Sequence, residues 1–226
     1  MVHCTRCPRL VQYCRAVAEE KRRAFRGEVY WGKPVPSFGD PAARLLIVGL
    51  APAAHGGNRT GRAFTGDRSG DLLYKVLHQT GFANQPHSRD ARDDLRLTGA
   101  WISQVIHCAP PGNKPLPEEI RNCRYWLRRE LDALSDLRVV VALGKIAFDG
   151  YLAALKELGE LNRGMLFGHN ALNLTGVAHP PLISSYHPSQ QNTSTGRLTE
   201  RMFLDVFMAA RKACDETRDV SLQPQT

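Results

Sequence analysis

Four apolar runs stand out along a chain that is otherwise polar or helically patterned. They are Leu45–Leu50, Trp101–Cys108, Val139–Gly144 and Leu182–Tyr186. Each is strand-sized, rich in Val, Ile and Leu, and bounded by Gly, Pro or polar clusters, which is the pattern of strands buried on both faces. Between and beyond them the period lengthens. Over Pro117–Leu134, apolar residues at Ile120, Cys123, Leu127, Leu131 and Leu134 fall on one helical face, and Pro117, Glu118 and Glu119 suit a helix start. Asp71–Gln79, Ile146–Leu158 and Leu198–Cys214 read as further helices. Strands alternating with helices predict a parallel sheet covered on both faces, a three-layer α/β/α sandwich. The charged stretch Arg89–Arg96 is expected to be a solvated loop, and residues 217–226 a frayed tail. No internal repeat or low-complexity linker divides the chain, so one domain over residues 1–226 is expected.

The ends of these runs carry the candidate chemistry. Leu45–Leu50 breaks into a Gly-rich segment that holds His55, Asn58, Arg59, Arg62, Phe64 and Asp67. Ligands of open α/β folds bind at the carboxyl ends of the strands, and a loop this long is more than a connector. The second run leads into Cys108-Ala-Pro-Pro-Gly-Asn113-Lys114-Pro115, a rigid turn that presents Asn113 and Lys114. After the fourth run, His187 is followed by small and polar residues through Arg197, a run that buries little and can hydrogen-bond widely. A histidine there can donate to a developing anion at neutral pH.

Charge narrows the partner. The 226 residues carry a formal net charge of +8 and a pI near 9.4, which favours a polyanion. Lys21-Arg22-Arg23 with Arg26, and Arg59, Arg62 and Arg68, concentrate that charge. Without a secretory or membrane-sized apolar segment, a soluble cytoplasmic protein is expected. Four of the six cysteines form two pairs, Cys4-x2-Cys7 and Cys108-x14-Cys123. Four thiolates match a [4Fe–4S] cluster or a structural zinc, and spacing does not separate the two. Cys108 and Cys123 also fit as plain core thiols. Cys14 and Cys214 lie on helical patterns without partners and read as core.

Gly49-Leu50-Ala51-Pro52-Ala53, Phe64-Thr65-Gly66-Asp67 and Ser185-Tyr186-His187-Pro188-Ser189 resemble the active-site signatures of uracil-DNA glycosylases. The resemblance is closest to the iron–sulfur type B group, family 5, and covers nearly the whole chain, including the four-cysteine spacing. It implies a central four-stranded parallel sheet and a [4Fe–4S] cluster on Cys4, Cys7, Cys108 and Cys123. The implied activity is excision of uracil and other deaminated bases from double-stranded DNA, with single-stranded DNA a further substrate. A monomer associated with the nucleoid is expected. Phe64 is similar to the family's stacking aromatic, and Gly49, Leu50 and Ala51 to its base-contacting backbone. His187 would stabilise the departing base. Pro188–Arg197, with Asn192, would enter the duplex, and Arg59, Arg62 and Arg197 would meet phosphates.

Two positions depart from the uracil-specific relatives. Ala51 stands where those carry a carboxylate or amide, and the type B pattern assigns that task to Asp67, supported by Asn113. On residue chemistry alone, Asp67 also fits as a cap for the helix that follows. Gln104 stands where an asparagine would read the uracil edge, and its longer side chain leaves room for bases such as hypoxanthine. Two other functions fit parts of the sequence: a non-catalytic iron–sulfur DNA-binding protein, and a nucleotide-phosphate hydrolase. The latter lacks the G-x4-G-K-[ST] pattern of a P-loop.

Overall fold

A computed structural model describes residues 1–159, 161–176 and 178–216; the tail expected to fray lies outside them. In chain order the elements are α1 (Pro8–Glu20), β1 (Phe38–Gly39), β2 (Leu45–Gly49), α2 (Gly57–Thr60), α3 (Arg68–Gln79), β3 (Ala100–Gln104), α4 (Pro117–Ala133), β4 (Val139–Leu143), α5 (Lys145–Lys156), β5 (Ala171–Asn173), β6 (Leu182–Ser185), α6 (Gln190–Ser194) and α7 (Glu200–Asp215). Arg23–Phe25 and Pro111–Asn113 form single 3-10 turns. They build one sheet of order β1-β3-β2-β4-β6-β5. The inner four strands are parallel, as the apolar runs predicted. Two antiparallel edge strands, β1 and β5, extend it; at two and three residues they are too short to show a period.

Every residue of β2 and β4 is buried, and strand alternation divides the core in two. Leu45 and Ile47 face α3 and α7, where Leu73, Tyr74, Leu77, Phe203 and Phe207 close the layer. Leu46 and Val48 face the other way, onto α1, α4 and α5 through Leu10, Cys14, Leu127, Phe148 and Tyr151. Burying a side chain of this size contributes about 1.5–3 kcal/mol, so the central strands and their covering helices form a rigid base for the loops above.

The boundaries differ from the sequence pattern where side chains or loops intervene. The predicted strand Trp101–Cys108 ends at Gln104. Its partner β2 turns away at Gly49, and only two more bonds follow, Val105 N–H to Gly49 and Ile106 N–H to Leu50. Cys108 therefore lies beyond the strand. Helix α3 starts at Arg68 rather than Asp71, because Asp67 caps it. Helix α7 starts at Glu200, where the Thr199 hydroxyl accepts from Met202 N–H at 3.2 Å. The apolar face of α1, with Leu10, Cys14 and Val17 buried, opens on Pro8; of this helix the sequence pattern marked only Cys14. Part of the polar run after His187 is helical, as α6.

Candidate functional site

The carboxyl ends of β2, β3 and β6 bring three loops to one edge of the sheet. Gly49 and Gln104, the last residues of β2 and β3, lie side by side in the parallel register. The Phe64 ring packs directly on Gly49: a Cβ there would meet the ring at 2.6 Å, so only glycine admits the aromatic. Phe64 has φ of 52°, an unfavourable left-handed conformation for a bulky residue. Its surroundings enforce it. A Cβ on Gly70 would stand 1.7 Å from the Phe64 carbonyl oxygen, and the buried Tyr74 hydroxyl donates to the preceding carbonyl, Ala63, at 2.8 Å. Gln104 is almost fully buried, yet its Oε1 has no hydrogen-bond partner among the described residues. An orphaned buried acceptor is costly unless a ligand satisfies it.

His187 comes in from the loop after β6. Its ring stacks on Phe64, with centroids 6.1 Å apart and planes 29° from parallel. Burial pushes its pKa below the ordinary histidine range, against the opposing pull of Asp67. The imidazole is thus neutral at neutral pH, with one N–H to donate. Its backbone is fixed by Asn192, whose Nδ2 donates to the His187 carbonyl at 2.8 Å. The Asn192 amide expected to enter DNA is thus engaged in holding His187.

The two oxygens of Asp67 have different surroundings. Its Oδ1 accepts from Ser69 N–H at 2.9 Å and Gly70 N–H at 3.2 Å, the cap of α3. Its Oδ2 lies against Gly56, where a Cβ would stand 2.5 Å away. Together with Asn113, Asp67 lines a crevice of about 590 Å³. Tyr13, Arg22, Phe25 and His55 line the same crevice; the sequence marked His55 only as part of the Gly-rich segment and Arg22 only by charge, and Tyr13 and Phe25 not at all. The usable signal was the basic cluster Lys21-Arg22-Arg23, whose position relative to the loop depends on the tertiary fold. Ala51 is half-buried and packs against the core on the α1, α4 and α5 side of the sheet.

Two arginines expected to meet phosphates are committed inside the protein. Arg62 is 4% exposed, pairs with Asp93, donates to Ser88 at 2.9 Å and lies over the Phe38 ring. Asp93 thereby ties the charged 89–96 loop to the site loop. Arg59 pairs with Glu28, donates to the His55 and Gly66 carbonyls at 2.8 and 3.3 Å, and stacks on Phe25. Arg197 is exposed, with its guanidinium over the Tyr186 ring.

On the α1–α4 side of the sheet, Cys4, Cys7, Cys108 and Cys123 line one cavity with Leu10, Ile106, His107 and Trp126. Two sulfurs already face donors: His107 N–H lies 3.4 Å from Cys123 Sγ, and Asn122 Nδ2 lies 3.8 Å from Cys7 Sγ. Burial pushes the Cys123 thiol up to about 12, and raises Cys7. Among the described residues, no three His, Cys, Asp or Glu side chains converge on a point that one metal ion would occupy. Cys14, fully buried, points its thiol at the Ala109 carbonyl, 3.7 Å away.

Comparison with known proteins identifies the family. Residues 36–211 match the model of the uracil DNA glycosylase superfamily. A Type-5 uracil-DNA glycosylase of Thermus thermophilus is 52% identical over 210 residues, covering 92% of this chain and 93% of the relative. A Type-5 uracil-DNA glycosylase of Mycobacterium tuberculosis is 50% identical over 92% of this chain and 77% of its own length. A Type-4 uracil-DNA glycosylase of Archaeoglobus fulgidus is 33% identical over 114 residues, about half of each chain.

Proposed function

The chain belongs to the uracil DNA glycosylase superfamily, and on that premise we propose that Phe64, Gln104, Asp67, Asn113 and His187 form its base-excision centre. It is a DNA glycosylase that removes uracil in DNA repair. The observation that carries the residue assignment is the unpaired Oε1 of Gln104, buried beside Gly49 and the Phe64 ring. A base flipped from the helix stacks on Phe64 and places its ring N–H against that acceptor. The N-glycosidic bond then breaks with its electron pair on the base. The neutral His187 N–H stabilises the resulting anion. Asp67 Oδ2 balances the cationic sugar and, with Asn113, orients the water that adds to the anomeric carbon, taking up its proton. The base leaves after protonation from solvent.

Glutamine presents donor and acceptor from one amide that can rotate, so hypoxanthine is accommodated as well as uracil. Duplex DNA is the principal substrate, single-stranded DNA a lesser one, and a monomer of one domain carries the whole site. Among the described residues no helix is long and apolar enough to cross a membrane.

The assay is excision from a uracil-containing duplex, read by alkaline cleavage at the abasic product, with thymine in place of uracil as control. Folded protein that leaves the uracil strand intact overturns the assignment. Gln104→Leu keeps the volume and removes the acceptor. It should lower uracil excision by roughly 1–3 kcal/mol of transition-state stabilisation, the range for losing a buried hydrogen bond. Unchanged excision by that variant places base reading elsewhere.

Cys4, Cys7, Cys108 and Cys123 would hold a [4Fe–4S] cluster. Four cysteines that line one cavity match the four thiolates such a cluster requires. When bound, the cluster supplies iron–thiolate crosslinks that fasten the Cys4–Cys7 turn to α4. The purified protein should then be brown with about four irons per chain. Cys4→Ala or Cys123→Ala should lose the colour and melt at lower temperature. A colourless protein with stoichiometric zinc overturns the cluster and leaves the glycosylase centre standing.

A further inference from the structure

The outer wall of the crevice is built more firmly than a connecting segment needs to be. Residues 22–32 lie outside the sheet, yet several interactions fix them to the Gly-rich loop. Arg59 is central: its guanidinium stacks on Phe25 at 3.9 Å and pairs with Glu28, and its Nε donates to the His55 carbonyl. Trp31 N–H and Gly32 N–H add bonds to the Arg59 and Asn58 carbonyls at 2.9 and 3.0 Å. This anchoring holds Arg22 on the crevice wall with Tyr13, His55, Asp67 and Asn113. The Arg22 side chain is exposed and has no acidic partner among the described residues. Arg23 and Arg26 are exposed beside it.

His55 is fixed as firmly. Its Nδ1 lies 3.2 Å from the Tyr30 hydroxyl, and the two rings meet edge to face. The Tyr30 hydroxyl accepts the Arg22 backbone N–H at 3.4 Å. Being buried, it has His55 Nδ1 as the acceptor for its own proton. That leaves the hydrogen of a neutral His55 on Nε2, the ring nitrogen free to meet a ligand. Burial first, then the charges of Arg22 and Arg59, hold the His55 pKa below its ordinary value. A neutral N–H donor beside a free guanidinium is suited to an anion with several acceptor oxygens. Asp67, the carboxylate on the same crevice wall, already uses one oxygen in capping α3.

We propose that Arg22 and His55 form a phosphodiester clamp on the crevice wall that grips the backbone of the strand whose base is flipped onto Phe64. The proposal rests on the glycosylase reading for the identity of the strand, and on the geometry of the wall for the clamp itself. Arg22 neutralises the phosphate, and His55 Nε2–H supplies a directed hydrogen bond. Tyr30 is a positioning residue that selects the His55 tautomer. Arg59, half-buried and paired with Glu28, and Arg62, buried and paired with Asp93, cannot take this role.

The two groups should leave different signatures in binding to abasic-product DNA. Arg22→Ala should weaken affinity and lower the slope of log affinity against log salt by about 0.9, the value for one phosphate no longer neutralised by the protein; Arg22→Lys should restore the slope. His55→Ala should weaken affinity with the slope unchanged, because a neutral donor releases no counterion. A scan of duplexes carrying one uncharged methylphosphonate at each position near the lesion locates the gripped phosphate with wild-type protein alone. At one position wild-type and Arg22→Ala should bind equally. If no position equalises them, or if Arg22→Ala keeps the wild-type salt slope, the clamp is wrong. Excision by wild-type protein on the same duplexes separates this result from failure of the glycosylase reading: active enzyme with no equalising position rejects the clamp alone.

Discussion

Single-turnover excision by His187→Ala should fall about a hundredfold to a thousandfold, a loss of roughly 2–4 kcal/mol of transition-state stabilisation, the scale for removing one preorganised donor to a developing anion. The arrangement favours that size of effect. The ring is stacked on Phe64, and its backbone is held by the Asn192 amide and by close approach to Gly144, where a Cβ would meet His187 Cβ at 3.3 Å. Little reorganisation is then needed as the base departs. Because burial depresses its pKa, the ring donates without carrying charge into a site that must also accept a neutral base. Affinity for abasic product should change far less than rate, and equal losses would mark His187 as a DNA-positioning residue instead. The same depression has a consequence for stability. The unfolded chain binds this proton at its ordinary value of 6.5 and the folded chain only at lower pH. Stability therefore falls as pH drops from 6.5 towards the native pKa, and His187→Ala should flatten that part of the curve.

The parallel strands were readable because they are continuous apolar runs, and burial on both faces requires such runs. The edge strands β1 and β5 were not, since two or three residues paired on one side show no periodicity. Among the polar groups, residue chemistry was more legible than geometry. His187 stood out because a histidine followed by small and polar residues just beyond a core strand is hard to explain by packing, whereas the site roles of Phe64, Asp67, Gln104 and Asn113 came from the resemblance to uracil-DNA glycosylases. What each arginine does could not be read in the same way. Arg59 and Arg62 look identical to Arg22 and Arg197 in a sequence, but Glu28 and Asp93, 31 residues away in each case, take them out of solution. Only the fold decides which cations face solvent. The role of His55 was hidden for a related reason: its partner Tyr30 is 25 residues upstream, in a segment with no pattern of its own.

Asp67 is where the sequence left two roles open: the structure shows the cap on Oδ1, and the proposed catalytic role falls to Oδ2. Asp67→Ala removes the pair together. It should cost about 1 kcal/mol of stability through loss of the cap and slow excision by roughly a hundredfold, the scale of one acid–base or electrostatic group. Taken alone, that variant confuses a shifted α3 with impaired chemistry, because Phe64 is braced by Gly70 in the first turn of the same helix. Asp67→Asn separates them. Its amide oxygen still accepts from Ser69 and Gly70, and asparagine caps helices about as well as aspartate, so melting should stay near wild type. The other position becomes an NH₂ group, which can neither balance a cationic sugar nor take a proton from water. Excision by Asp67→Asn should therefore remain about a hundredfold down in a fully folded protein. Since Ala51 offers no group that compensates, no second residue in that loop should rescue it. Wild-type excision by folded Asp67→Asn would reduce Asp67 to the cap of α3 and move the search for the water-activating group to Asn113.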